Sequence, residues 1–272
     1  MPAVQLSILK KQIDDLIWKY TQPELFSRQL HDLLSHYANR VFRGGKNSKN
    51  VYKGNKYNSP KFIIDQIIVE LNPLVIENPD RLISLADRLW TENYLEFKLI
   101  SISILGKLPP SHFEDVLSHI QNWAENISSS LLIEKLLYDA SKNIRFNNID
   151  QWLDQIYSWL NNPNTKFHSI GLKATLPLIS DNTFENFPPL FAMITPYFQK
   201  DNYYVQNELY SILSGLIIRS PVETSYFFKQ ILSSGISKVH LRTIRKFLPK
   251  FDKNTQETIR DSINNAVINE NQ

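Results

Sequence analysis

The residues best suited to chemistry in this chain are cations set among aromatic rings. Arg40, Arg43, Lys46, Lys49, Lys53, Lys56 and Lys61 fall within about twenty positions, and no acid occurs between Asp32 and Asp65. Phe42, Tyr52, Tyr57 and Phe62 interleave with them. Such a stretch can neutralise backbone phosphates while a ring stacks on a base or wedges a groove, which makes it a candidate DNA contact. Gly44, Gly45, Gly54 and the surrounding asparagines make it a loop, with room for a short ribbon at its tip. Its bland alternative is a solvated insertion between helices. Gly44-Gly45-Lys46 lacks the spacing and the following helix of a phosphate-binding loop. A second cationic group comprises Lys238, His240, Arg242, Arg245, Lys246 and Lys250. Arg242, Arg245 and Lys246 share one face by helical spacing and are again either a phosphate contact or a solvated face.

Other chemistries find no support. The chain has no cysteine, so thiolate nucleophiles, thiolate metal sites and disulfides are excluded, and a cytoplasmic setting is expected. The six histidines form no ligand cluster, and no metal or cofactor is expected. The carboxylate pairs Asp14-Asp15, Glu114-Asp115 and Glu92 with Glu96 read as helix caps and solvated faces. Trp152 and Trp159 sit seven apart on one helix and read as core. A net charge of +3 permits a nucleic-acid partner without demanding one. The first residues do not read as a signal peptide, and no apolar run is long enough for a membrane helix, so no membrane partner is expected. Asn126-Ile127-Ser128 reads as a chance sequon.

The elements that must position these groups are helices. Glycine is scarce, at 7 residues, and hairpin-turn dipeptides are few. Leu89, Phe97, Ile100, Ile104 and Leu108 recur at helical spacing, as do Leu172, Leu176 and Ile179. Ser59-Pro60 and Ser220-Pro221 predict helix starts, Ser111 with Glu114 and Ser220 with Glu223 predict capping boxes, and breaks are expected at Asn148, Asp181 and Asp252. Leu105, Leu176, Leu213 and Leu248 mark similar segments at multiples of about 36 residues, a helical-repeat period. The expected fold is all-α: a single domain over 1–272, an α-solenoid of HEAT-like helical hairpins whose inner helices line a concave surface.

Leu89-Trp90, followed by Glu96-Phe97-Lys98 and a long apolar helix, is similar to a segment of the bacterial DNA alkylation repair glycosylases, HEAT-like proteins that excise alkylated purines. Trp159 to Asn164 leading into Gly171, and Tyr203-Tyr204-Val205-Gln206-Asn207 before an apolar helix, resemble that family's next two repeats. The resemblance spans about Trp90 to Phe251 and implies DNA as the partner. The family's catalytic pattern is a Trp-x-x-x-Asp pair, a later tryptophan, and arginines on phosphates. Carried over, the first tryptophan falls at Ser130 and the aspartate at Glu134. The later tryptophan falls at Ser211 beside Tyr210, and an arginine near Ile170, with Lys173 one turn on. Glu134 is thus the catalytic candidate, as an electrostatic stabiliser of a cationic sugar. A serine offers no ring face, so the resemblance implies a DNA-binding protein whose glycosylase activity is weak, altered or absent. The alternative from another class is a protein-binding helical-repeat scaffold. A full glycosylase would need another ring near Glu134, with Tyr138 and Trp159 as candidates.

Overall fold

The structure, a computed structural model, describes residues 5–38, 52–199 and 203–270, with side chains as far as 266. Among these residues the chain forms fifteen α-helices and no strand beyond one isolated bridge. The contacts group it into two compact units, Met1–Ile149 and Asp150–Gln272.

In the first unit the helices are α1 (Leu6–Ile17), α2 (Pro23–His36), α3 (Lys61–Glu77), α4 (Pro79–Thr91), α5 (Leu95–Leu105), α6 (Phe113–Asn126), α7 (Ser130–Lys135) and α8 (Lys142–Asn147). Leu82, Leu85, Ala86 and Leu89 put one buried stripe on α4. That stripe lies against α5, which is apolar nearly all round and carries Phe97, Ile100, Ile104 and Leu105 in the core. Helices pack on their next neighbour and on the next but one: α1 with α2 and α3, α2 with α4, α3 with α4 and α5. Between α7 and α8 the chain takes a π turn over Leu136–Ala140. A Cβ on Gly106, at the end of α5, would run into the Asp139 carbonyl, so only glycine lets that turn approach.

The second unit holds α9 (Ile149–Leu160), α10 (Thr165–Ser180), α11 (Pro188–Ile194), α12 (Gln206–Arg219), α13 (Pro221–Ser233), α14 (Lys238–Phe247) and α15 (Lys253–Glu270). α12 packs on α10 and α13, and α13 on α15. Trp152 and Trp159 are fully buried, edge to face at 5.6 Å, as their spacing predicts.

The helix punctuation follows the sequence with local corrections. Breaks fall at Asn148, Asp181 and Asp252, and Asp252 caps α15 by accepting from the Thr255 N–H at 3.0 Å. Pro60 is the cap of α3 rather than its first residue, and the Ser59 hydroxyl donates instead to the Leu34 carbonyl at 3.1 Å. Ser111 sits inside a 3-10 turn, Pro110–His112, so its predicted box does not form. Ser220 precedes α13 and donates to Glu223 at 2.7 Å. Among the described residues no helix is long and apolar enough to cross a membrane.

Candidate functional site

The described half of the basic loop is clasped to the corner between α4 and α5. Asn55 donates its N–H to the Asn93 carbonyl at 2.9 Å and accepts from the Leu95 N–H at 3.0 Å, forming a single parallel bridge with the corner. Glu96 is buried, and its Oε1 accepts from the backbone N–H groups of Tyr57 at 3.0 Å and Asn58 at 2.9 Å. His31 on α2 meets the Tyr57 hydroxyl at 2.6 Å and Glu92 at 3.3 Å. Arg88 donates to Glu92 at 2.6 Å and to Glu24 at 2.7 Å. Burial raises the Glu92 carboxyl, but hydrogen bonds from Arg88, Ser27 and His31 outweigh it and hold the group below its ordinary value. The expectation that Glu92 and Glu96 form a solvated pair is therefore corrected. They flank the corner, on no common helix, because the strap 52–58 brings backbone donors and a tyrosine that need buried acceptors.

Beside this clasp lies a cavity of about 510 Å³, lined in part by Tyr52, Lys53, Trp90, Asn93, Lys98 and Ser128–Ser130. Tyr52 is buried, its hydroxyl donating to Asn93 Oδ1 at 3.2 Å, and its ring fills the space where any side chain on residue 54 would go. Trp90 stacks on Trp123 of α6, centroids 4.0 Å apart and planes 7° apart. The Lys98 ammonium stands 4.3 Å from the centre of the Trp90 ring and donates to the Trp90 carbonyl. With Trp123 on one face, the ammonium occupies the other. Burial pushes the Lys98 pKa down, with the more distant charge of Glu92 opposing.

Glu134 is half-buried on α7, one turn from the cavity wall, and accepts from the Ser130 hydroxyl at 3.0 Å. Tyr138 lies in the π turn and is half-buried; Trp159 is in the core of the second unit with 1% exposure, leaving it no open face.

In the second unit, Lys173 of α10 pairs with Glu208 of α12 at 3.5 Å, and the Ser169 hydroxyl donates to the same carboxylate at 2.7 Å. The positive charge expected there is thus answered from within the fold. On α14, Leu241, Ile244 and Phe247 are buried, and helical spacing throws Arg242, Arg245 and Lys246 onto the opposite, exposed face. Among the described residues none of the three pairs with an acid. His240, expected beside them, is instead 1% exposed and packed 5.1 Å from Phe198. Phe247 carries Tyr210 at 4.7 Å, and Lys250 lies 5.2 Å from its ring centre. Ser211 is exposed and donates to the Asn207 carbonyl.

Of the cations expected in the loop, Lys53 and Lys56 lie on the strap, Lys53 at the cavity rim; Arg40, Arg43, Lys46 and Lys49 lie outside the described residues. The grouping of Trp90, Lys98 and Trp123 with the strap was not read from spacing. Its only sequence signal was the resemblance carried by Trp90 and Lys98. No group of three metal-ligating side chains comes together among the described residues.

No curated protein and no solved structure matches this chain. The family model described as DNA alkylation repair enzyme matches residues 59–220, more than half of the sequence, including the α4–α5 corner, Glu134, Lys173 and the cavity wall except Tyr52, Lys53 and Gly54. The chain belongs to the DNA alkylation repair enzyme family.

Proposed function

We propose that this protein binds DNA through exposed cations on HEAT-like hairpins, as a member of its family whose glycosylase chemistry is weak, altered or absent. The carrying observation is α14. Three of its four exposed cations, Arg242, Arg245 and Lys246, share a face that meets solvent with no acid of the described chain to answer them, while an apolar face holds the helix in place. A duplex phosphate supplies the missing charge, and release of its counterions supplies the free energy. The DNA-repair family supports that partner. Lys53 and Lys56 belong to an accessory contact with Arg40, Arg43, Lys46 and Lys49. Lys173, already paired with Glu208, contributes less than the sequence suggested.

The chemistry is weakened at Ser130. The family's ring would stand there, and a hydroxyl hydrogen-bonded to Glu134 replaces it. Glu134 keeps a carboxylate but lacks the flat, electron-rich surface against which a cationic base is held.

The test is duplex binding across a salt series for the wild type and for Arg242→Ala/Arg245→Ala/Lys246→Ala. The variant is expected to lose affinity and to reduce the log–log salt slope by about 3, near one unit per phosphate contact. Its stability should change by no more than about 0.5 kcal/mol per site, because the three side chains are exposed. Equal slopes would remove α14 from the interface. A protein partner has one observation in its favour: Val222 and Tyr226, 78% and 71% exposed, border an apolar groove between α11 and α13. Absence of DNA binding even at low salt would leave that reading standing.

A further inference from the structure

We propose that the cavity at the α4–α5 corner is a binding site for a phosphate ester of nucleotide size, with Lys98 as its central charge. The inference does not depend on DNA binding by α14, because a free nucleotide would satisfy the same chemistry.

Three observations carry it. First, Lys98 is a half-buried ammonium whose recorded partners are a carbonyl and a ring, not a carboxylate. The acid nearest in its field, Glu92, is already engaged by Arg88, Ser27 and His31. A desolvated charge without a counter-ion is costly unless an anion completes it. Second, no carboxylate lines the cavity among the described residues, while Lys53 stands at the rim. Ser129 adds a donor: its oxygen accepts from the Leu132 N–H at 3.5 Å, leaving its O–H to point elsewhere. Asn93 adds an amide, whose oxygen is held by Tyr52. Two ammonium groups with neutral donors suit the several oxygens of a phosphate. Third, the volume of about 510 Å³ exceeds a bare phosphate and has room for a sugar and base.

Lys98 is also pre-positioned. Trp123 backs the Trp90 ring, and the ring and its own carbonyl hold the ammonium at the cavity wall, so little side-chain freedom is lost on binding. The same stack is an optical reporter, since a ligand that draws the ammonium off the Trp90 face changes indole emission.

The experiment titrates the full chain, by calorimetry and tryptophan fluorescence, with inorganic phosphate, AMP, and a short single strand bearing either a 5′-phosphate or a 5′-hydroxyl. AMP or the phosphorylated strand is expected to bind with Kd of about 0.1 mM or tighter. Lys98→Met, an unbranched chain of similar length without the charge, should weaken binding by tenfold or more without lowering Tm, and Lys98→Arg should restore part of it. AMP binding identifies a mononucleotide site; a tenfold preference for the 5′-phosphate over the 5′-hydroxyl strand identifies a strand end. Should Lys98→Met fail to fold, Lys53→Met and Ser129→Ala carry the same comparison with a smaller expected loss. Absence of heat and of an emission change with every probe, or equal binding by wild type and variant, would overturn the proposal. The α14 variant leaves this cavity intact, so failure here and failure of the DNA reading are separately visible.

Discussion

Lys98 and Lys173 are both half-buried lysines on helices that pack inside their unit, yet they differ in what answers their charge. Lys173 has Glu208 at 3.5 Å, and Ser169 holds that carboxylate in place. Lys98 has a tryptophan ring and a carbonyl. Availability for a phosphate is therefore set by neighbouring acids, not by the cation's place in a basic run. By that criterion Lys173 is a structural residue, Lys98 faces an acid-free cavity, and the exposed α14 cations stand open to solvent.

The largest expected effect comes from the clasp beside Lys98. Glu96→Ala leaves the Tyr57 and Asn58 N–H groups without their acceptor and should cost about 2–4 kcal/mol in urea unfolding. Hydrogen exchange at those two amides should accelerate more than elsewhere in the unit. A silent variant would mean that the strap is not held by Glu96, and the cavity would lose its wall.

Glu208→Ala sharpens the two-lysine comparison directly. It strands the Lys173 ammonium and should destabilise the chain by about 2 kcal/mol, a Tm fall of several degrees. Lys98→Met should leave Tm unchanged or raise it, since no counter-ion is stranded. Thermal melts of the two variants side by side check this, and an equal loss in both would erase the distinction.

Smaller effects appear in pH dependence. Glu92 has a folded pKa below its ordinary value of 4.5, so its contribution is complete above that pH and is lost as pH falls through the lower folded value. Glu92→Gln should flatten the acid limb of the stability curve. Lys98 acts at the other end. Its folded pKa is below 10.5, so the folded state sheds the proton first and stability rises as pH climbs between the two values. Lys98→Met should abolish that rise, and an unchanged alkaline profile would show that the ammonium is not desolvated.

Much of the framework was legible from spacing. The stripe from Leu89 to Leu108 is buried, Trp152 and Trp159 are core, and Asn148, Asp181 and Asp252 end or start helices because polar caps and apolar period are local signals. The exposed face of α14 was legible for the same reason. Glu92, Glu96 and Lys98 were not. Their environments are made by Tyr57, His31, Trp90 and Trp123, which come from the strap and from α2, α4 and α6, and no local period encodes such meetings. His240 was misplaced because a basic run hides the one member that turns inward against Phe198. The role of Ser130 needed the family pattern, since a serine that replaces a tryptophan looks ordinary by itself.

Base release from a 7-methylguanine duplex, measured in the same tubes as salt-dependent binding, separates a DNA binder from a working glycosylase. The prediction is salt-sensitive binding of plain and methylated duplexes, with release close to the spontaneous rate and little changed by Glu134→Ala. Strong release that disappears in Glu134→Ala would contradict it, and would establish a working glycosylase without a tryptophan at position 130.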